Sequence, residues 1–561
     1  MSSSLKRGAA AQARRLSHRA AVLACTGAAR AFDRALADVQ GAQVKRLRAV
    51  LRAVAGSAQA QRLGLDATMT PETFRARVGE HSYPDLADAI EQQRRGASAQ
   101  LTGAHCHRYQ PTSGSSSSMK WIPYTAGFLA ELDAAISPWG FDLYRQVPPI
   151  ARGRHYWSLS WMPTNLRAAT AANLNDDRGL LSWSKRLFSA MTAPVPPWVA
   201  TTSSSDDSLF ATLCFLAAAA DLTLISVWSP TFALNLLERL GSQRDAIVAV
   251  LDEGRWDDEH RHLPGRPPHS LRAAQLLRGW DGRLDPTFFA ELWPMLSLVS
   301  AWDTSTSARW AARLAQLLPH AGFQGKGLWA TEGAVTIPYR DQYPLALRSH
   351  YYEFVDLGDD KPYFSWQLRA GQIVRPLLTT SGGLLRYGLK DRLAVRGFLG
   401  STPCFEFLDR IDDVDMVGEK MSPEAARTAL DAIAGDDTCR PLTLLAVTPS
   451  RLDGDDTGDG AGDKPGYVAL CEGPTAAVDQ RRGDLLDDSL RAAFHYNLAR
   501  DLGQLAPARV LTVADARRLY QEIGEARGMV VGNIKPEALL LCDDARSAAL
   551  IRRRIGDRTQ P

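Results

Sequence analysis

The apolar run LFATLCFLAAAADLTLISVW, from Leu209 to Trp228, constrains this chain more than any other stretch. It has the length of a membrane-crossing helix, but Asp221 interrupts it, and a carboxylate in that position is expensive in hydrocarbon. Its first part is dominated by Leu and Ala. Its last part, Leu222 to Val227, is β-rich. The pattern predicts a buried helix, a turn at Asp221 and a buried strand. A globular protein built of layered helices and strands follows.

The flanking sequence agrees. Residues 1 to about 100 carry apolar residues at helical spacing, with a helix start at Thr70-Pro71-Glu72. From Ser113 to about Leu240 helices alternate with short apolar strands, the texture of an α/β layer structure. Residues 241 to 320 read as helical around the Pro-rich LPGRPPHSLR. After Gly327 the texture changes to short β-rich runs bounded by Gly, Pro and Asp, among them LWATEGAVTIPY, SHYYEFVDL and DRLAVRGFLGSTPCFEFLDR. The acidic stretch RLDGDDTGDGAGDKPG, with Asp453, Asp455, Asp456 and Asp459, lacks the terminal Glu of a calcium loop and reads as a solvated hairpin insertion. The expected fold class is α/β: a large N-terminal α/β domain with a β-rich segment over residues 1–412, and a smaller C-terminal α+β domain over 413–561.

Charge excludes one class of partner. Lys and Arg total 65 against 62 Asp and Glu, a formal net charge of +3, so no general attraction to nucleic acid is implied. Lys6, Arg7, Arg14, Arg15, Arg19, Arg30 and Arg34 cluster near the N-terminus and read as a solvated helix face. The segment AAVLACTGAARA mimics a signal peptide, but its apolar core is short and mostly Ala. No transmembrane span is expected. Seven dispersed cysteines without a CxxC pair read as reduced thiols in a cytoplasmic protein.

The stretch PTSGSSSSMKWIPYT, from Pro111 to Thr125, supports two readings. It has the Gly, the hydroxyls and the Lys of a phosphate-binding loop, and equally the composition of a serine-rich linker. It lacks the spacing of the P-loop NTPases, and the absence of GxSxG disfavours a nucleophilic serine. Two His-bearing clusters, His105-Cys106-His107 and DDEHRH from Asp257 to His262, lack a second spaced pair and read as structural rather than zinc-binding.

Four stretches taken in order resolve the ambiguity: TSGSSSSMKWIPYT, LWATEGAVTIP (Leu328 to Pro338), GLLRYGLKDRLAVRGF (Gly383 to Phe398) and VGNIKP (Val531 to Pro536). The chain resembles the Gretchen Hagen family of auxin-responsive acyl-acid amido synthetases, and specifically its bacterial members. That family is a branch of the adenylate-forming superfamily, whose architecture is firefly-luciferase-like. The likeness spans most of the chain and includes GEKMSP (Gly418 to Pro423) and SLRAAFHYNLARDLGQLAPARV (Ser489 to Val510).

The resemblance implies an ATP-dependent ligase. It joins ATP to a carboxylic acid as an acyl-adenylate, with Mg²⁺ as cofactor, and then passes the acyl group to an amine such as an amino acid. Ser113, Gly114, Ser115, Ser116 and Ser117 match the loop that binds the ATP phosphates, with Ser117-Ser118 replacing its second glycine. Ala330, Thr331 and Glu332 match the turn that holds AMP, and Glu332 also matches the Mg²⁺ ligand. Asp391 matches the carboxylate that grips both ribose hydroxyls, with Tyr387 as a support. Arg410 matches an Arg near the interdomain hinge and counts among the AMP-binding residues. Lys535 matches the C-terminal lysine that bridges the substrate carboxylate and the α-phosphate during adenylation. Alone, a Thr-Glu pair reads as a helix cap, Arg410 as a surface ion pair and Lys535 as a surface lysine. Two alternatives stay open: an acyl-CoA ligase, in which a thiol captures the adenylate, and a non-catalytic relative that only binds an acid or nucleotide. Trp121, Trp139, Trp157, Trp161 and Trp329 are compatible with an aryl or long acyl substrate.

Overall fold

A computed structural model describes all of the chain except residues 1, 98, 114–118, 159–187, 189–190, 412–413, 415, 418, 420, 436–438, 449–463, 474–476, 502–503, 528, 530–533, 543 and 557–561. The chain divides into two compact units. One takes Met1–Thr112 and Met119–Leu408, and the other takes Ser113 and the chain from Asp409. The acidic stretch from Arg451 lies largely outside the described residues. The strands that flank it, Arg440–Val447 and Gly466–Glu472, pair antiparallel.

The first unit opens with helices Ser2–Leu36 and Val39–Val54, followed by the short helix Pro71–Arg77. Thr70 caps that short helix, its hydroxyl accepting the Thr73 N–H at 3.2 Å, as the Thr-Pro-Glu start predicts. The apolar run resolves as expected. Ser205–Ala218 is a helix and Leu222–Ser226 a strand buried along its whole length, with Asp221 between them. Among the described residues no helix is long and apolar enough to cross a membrane.

That strand belongs to a four-stranded parallel sheet in the order Arg154–Trp157, Leu222–Ser226, Leu298–Ala301, Gly322–Gly325. The strand Leu298–Ala301 lies in the segment 241–320 expected to be helical, which is a correction, and Gly322–Gly325 follows just after it. LSLVSA and GFQG are too short for a period to show, and only the neighbouring strand makes them extended. The β-rich segment forms a sheet in the order Pro362–Phe364, Tyr351–Asp356, Ile373–Thr379, Asp391–Leu399, Thr402–Arg410, with Tyr387–Gly388 also paired to Ile373–Thr379. A core including Phe128, Ile337, Tyr352, Phe354, Leu378 and Phe405 lies between this sheet and helix Ala126–Gln146.

The second unit is a mixed five-stranded sheet in the order Ala477–Val478, Arg509–Val513, Gly466–Glu472, Arg440–Val447, Leu539–Leu541. Helices including Pro423–Ile433, Gln480–Leu490 and Ala516–Ala526 bury apolar faces around it. The whole is a mixed α/β fold with a large N-terminal and a smaller C-terminal part.

Two buried histidines fasten the first helix to the parallel sheet. His18 Nε2 donates to the Gly153 carbonyl at 2.8 Å, so Nδ1 accepts the Tyr144 hydroxyl at 2.6 Å. The His155 ring centroid lies 4.6 Å from that of His18. Burial holds His155 down to about 3 and lowers His18, where nearby Arg14 acts in the same direction. Below the ordinary histidine value the unfolded chain therefore binds protons that the folded one refuses, so stability is lost as pH falls. The unfolding midpoint should drop between pH 7 and pH 5. His155→Gln, whose amide can still donate to the Ile150 carbonyl that His155 Nε2 reaches at 2.9 Å, should flatten that drop in calorimetric scans.

Candidate active site

The segment after the last parallel strand builds a tight hairpin. Trp329 pairs with Ala334 and Ala330 with Gly333, which leaves Thr331 and Glu332 as its turn. The Thr-Glu pair is therefore a hairpin turn and not a helix cap. Leu328 N–H donates to Thr336 Oγ1 at 2.8 Å, closing the base of the hairpin. The tip is held from the strand Met119–Thr125, whose Tyr124 hydroxyl donates to the Thr331 carbonyl at 2.8 Å. Glu332 is half-buried, and its Oε1 accepts from the Tyr387 hydroxyl at 3.4 Å. Tyr387 therefore supports the turn rather than serving only as core. Asp391, four residues on, opens the strand Asp391–Leu399 and is buried. Ala330, Thr331, Glu332, Tyr387 and Asp391 all lie in the first unit.

Gly333 permits the turn. A Cβ there would sit 2.5 Å from His350 Nε2 and 2.7 Å from Leu378 Cδ2, at a φ of +156°.

The other expected residues are placed differently. Ser113 ends the strand Cys106–Ser113, which pairs with Met119–Thr125. Gly114, Ser115, Ser116 and Ser117 lie outside the described residues, as do Trp161 and Gly532. Lys535 and Arg410 belong to the second unit. Lys535 is half-buried, and its carbonyl accepts from the Tyr520 hydroxyl at 3.2 Å, while Glu537 N–H donates to the same hydroxyl at 3.0 Å. Arg410 pairs with Glu537 at 3.6 Å, two residues from Lys535. Arg410 thus reaches the lysine segment through one carboxylate.

A feature that sequence reasoning missed lies at the carboxyl ends of the parallel strands, where open α/β sheets place ligands. Register aligns Trp157, Ser226, Ser300 and Gln324 in one row across the sheet. Trp139 crosses that row, its Nε1 donating to Gln324 Oε1 at 2.9 Å. Lys326 is 3% exposed; its ammonium donates to Ser226 Oγ at 2.7 Å and lies 4.7 to 5.7 Å from the ring centres of Trp139, Trp157 and Trp228. Trp329 of the hairpin stands 6.0 Å from Trp139 and 6.2 Å from Trp228. A buried ammonium among indoles, six residues before Glu332, therefore adjoins the turn. The one sequence signal was Lys326 sitting directly before Gly327-Leu328-Trp329.

The two His-bearing clusters are arranged differently. His105 and His107 stand exposed with ring centroids 5.3 Å apart. Asp257 Oδ1 accepts the His260 N–H at 2.8 Å, the His260 ring stacks on Phe210 at 3.6 Å, and His262 faces Asp207 at 3.2 Å. Among the described residues no three His, Cys, Asp or Glu side chains gather as a metal site.

With this geometry in place, comparison with known proteins gives the class. Residues 28–323 match the GH3 family N-terminal domain and residues 343–410 the GH3 family central domain. The chain belongs to the Gretchen Hagen (GH3) family. A probable indole-3-acetic acid-amido synthetase, GH3.6 of Oryza sativa subsp. japonica, is 25% identical over 260 residues, which cover 40% of this chain. The match spans about half the length of that relative, 50%. The solved structure of a GH3.15 acyl acid amido synthetase superposes with a TM-score of 0.74 at 16% identity, covering 93% of this chain and 95% of that one. A 2-hydroxyisobutyryl-CoA ligase in the postadenylation state superposes at 0.50 and 12% identity, over 92% and 91%. The fold is that of adenylate-forming enzymes.

Replacing Gly333 by Ala tests the hairpin directly. The enforced Cβ should cost about 1 to 3 kcal/mol in overpacking and backbone strain. A denaturant midpoint unchanged from the parent would mean that the hairpin has room to move.

Proposed function

We propose that the protein is an ATP-dependent acyl-acid amido synthetase. Its first step forms an acyl-adenylate and pyrophosphate from a carboxylate and ATP; its second lets an amine attack the acyl carbon, releasing AMP. The observation that carries this reading is the Thr331-Glu332 turn, its carboxylate beside the Tyr387 hydroxyl in a chain of this family. We read the chain as a bacterial-type member acting in the cytoplasm, so plant hormone substrates are not transferred to it.

The roles follow from charge. Adenylation gathers negative charge on the triphosphate and the attacking carboxylate, so the site needs donors and cations. Ser113 and the loop Gly114, Ser115, Ser116 and Ser117 supply donors to the phosphates. Ala330 and Thr331 hold AMP, and Asp391 accepts both ribose hydroxyls, a task that suits a carboxylate with two acceptor oxygens. Glu332 suits Mg²⁺. One carboxylate on a turn leaves the other positions to phosphate oxygens and water, the arrangement this ion favours, and when bound the ion neutralises phosphate charge. Lys535 supplies an ammonium to the adenylation transition state, and Arg410 supports its segment through Glu537. Residues 1–412 serve as the ATP- and acid-binding domain and 413–561 as a mobile domain carrying the lysine. The indoles around Lys326 favour an aryl or long acyl acid.

Pyrophosphate release separates this reading from its rivals. Screened over carboxylic acids with ATP and mixed amino acids, amine-dependent release supports the amido synthetase. Release that depends on coenzyme A instead assigns an acyl-CoA ligase, and none with any acid assigns a binding protein.

Two variants test the roles. Asp391→Ala should raise the ATP requirement roughly 10- to 100-fold, from the loss of about 1.5 to 3 kcal/mol of charged hydrogen bonding; equal ATP affinity removes Asp391 from the ribose. Lys535→Ala should slow adenylation by about 10²-fold or more, yet form amide from a presynthesised acyl-adenylate at close to the parent rate. Equal loss in both assays would make Lys535 a structural residue or one that serves amine transfer.

A further inference from the structure

We propose that Glu131 and His350 form a buried clamp that positions the Thr331-Glu332 turn, with His350 held in one tautomer. The proposal rests on the function above for its kinetic consequence only. Glu131, on helix Ala126–Gln146, is 1% exposed. Its carboxylate accepts Ser381 N–H at 3.1 and 3.2 Å, Ser381 Oγ at 2.5 Å and His350 Nδ1 at 3.0 Å, with Arg46 Nη1 at 3.8 Å. The other ring nitrogen, His350 Nε2, receives the Ala334 N–H at 3.3 Å. A backbone N–H can only donate, so Nε2 carries a lone pair and the proton sits on Nδ1, facing the carboxylate. Phe128 stacks on the ring at 5.4 Å, and the Tyr352 hydroxyl donates to the Ala334 carbonyl.

The consequence is specific. Ala334 closes the hairpin that presents Glu332, and Ser381 begins the loop that leads through Tyr387 to Asp391. One carboxylate therefore fixes the spacing between the two segments assigned to the nucleotide. His350 touches neither substrate nor reacting atom; it acts through the hairpin.

Two isosteric variants of the full chain separate the halves of the clamp. In His350→Gln the amide oxygen reaches the Nε2 position and can still accept from Ala334. In His350→Asn the amide nitrogen takes the Nδ1 position, which keeps Glu131 and releases the hairpin. Amide hydrogen exchange over residues 329–334 should rise about tenfold or more in the Asn variant and stay near the parent rate in the Gln variant. At matched unfolding midpoints, kcat/KM for acid-dependent pyrophosphate release should fall about tenfold further in Asn than in Gln. Glu131→Ala gives a second arm: it takes the shared acceptor from His350 Nδ1 and Ser381 and should also raise exchange over residues 329–334. Equal exchange in the His350 variants, or a protected hairpin in Glu131→Ala, overturns the clamp. Exchange needs no substrate. If no acid releases pyrophosphate in the parent, the function fails while the clamp is still judged on exchange.

Discussion

The carboxylate of Glu131, sealed inside the first unit, is the interaction on which the candidate site depends. A polar group left unpaired in that position would be costly to a marginally stable domain, so every donor around it is held in place. Those donors are the ends of segments remote in sequence: Ser381 just past the strand Ile373–Thr379 and His350 from the entry to the strand Tyr351–Asp356. Removing one partner leaves a buried polar group unsatisfied, which is why such a group fixes geometry more firmly than apolar packing of the same volume.

The strand Tyr351–Asp356 shows how two anchors share one rigid element. Side chains alternate along it. His350 and Tyr352 reach the hairpin at Ala334, the first through its N–H and the second through its carbonyl. Tyr351 and Glu353 point the other way. Tyr351 meets Phe74 edge-on at 6.0 Å, and Glu353 accepts Arg75 at 2.6 Å and Arg386 at 2.7 Å. Arg386, at a left-handed φ of +43°, immediately precedes Tyr387. One face therefore sets the Glu332 turn and the other sets the residue that donates to Glu332.

Much of the fold was legible in local pattern. Asp221 divided helix from strand, Thr70 marked a helix start, and the change of texture at Gly327 marked the antiparallel sheet. The strands Leu298–Ala301 and Gly322–Gly325 were not legible, because short strands take their conformation from neighbours and not from their own period. The site was legible only as motif. Glu332 and Asp391 stand in recognisable stretches, whereas Glu131, Lys326 and His350 do not. Glu131 and His350 are 219 residues apart, and their pairing is a property of the packed core alone.

The same logic explains why the hairpin is so short. A turn proposed to hold a nucleotide has to present its carboxylate at a fixed height, and a longer loop would lose that definition to conformational entropy. Here the turn has only Thr331 and Glu332 at its tip, and each is fixed from outside: the Thr331 carbonyl by Tyr124 and the Glu332 carboxylate by Tyr387. Its base is fixed by Thr336 and by the His350 ring. Three contacts from separate segments, with Thr336 closing the base, leave the turn little freedom before any ligand arrives. Preorganisation of this kind lets a charged group act without paying reorganisation at the moment of reaction. The ordering entropy is met when the domain folds, and the buried carboxylates that enforce it are the price of a turn that does not move.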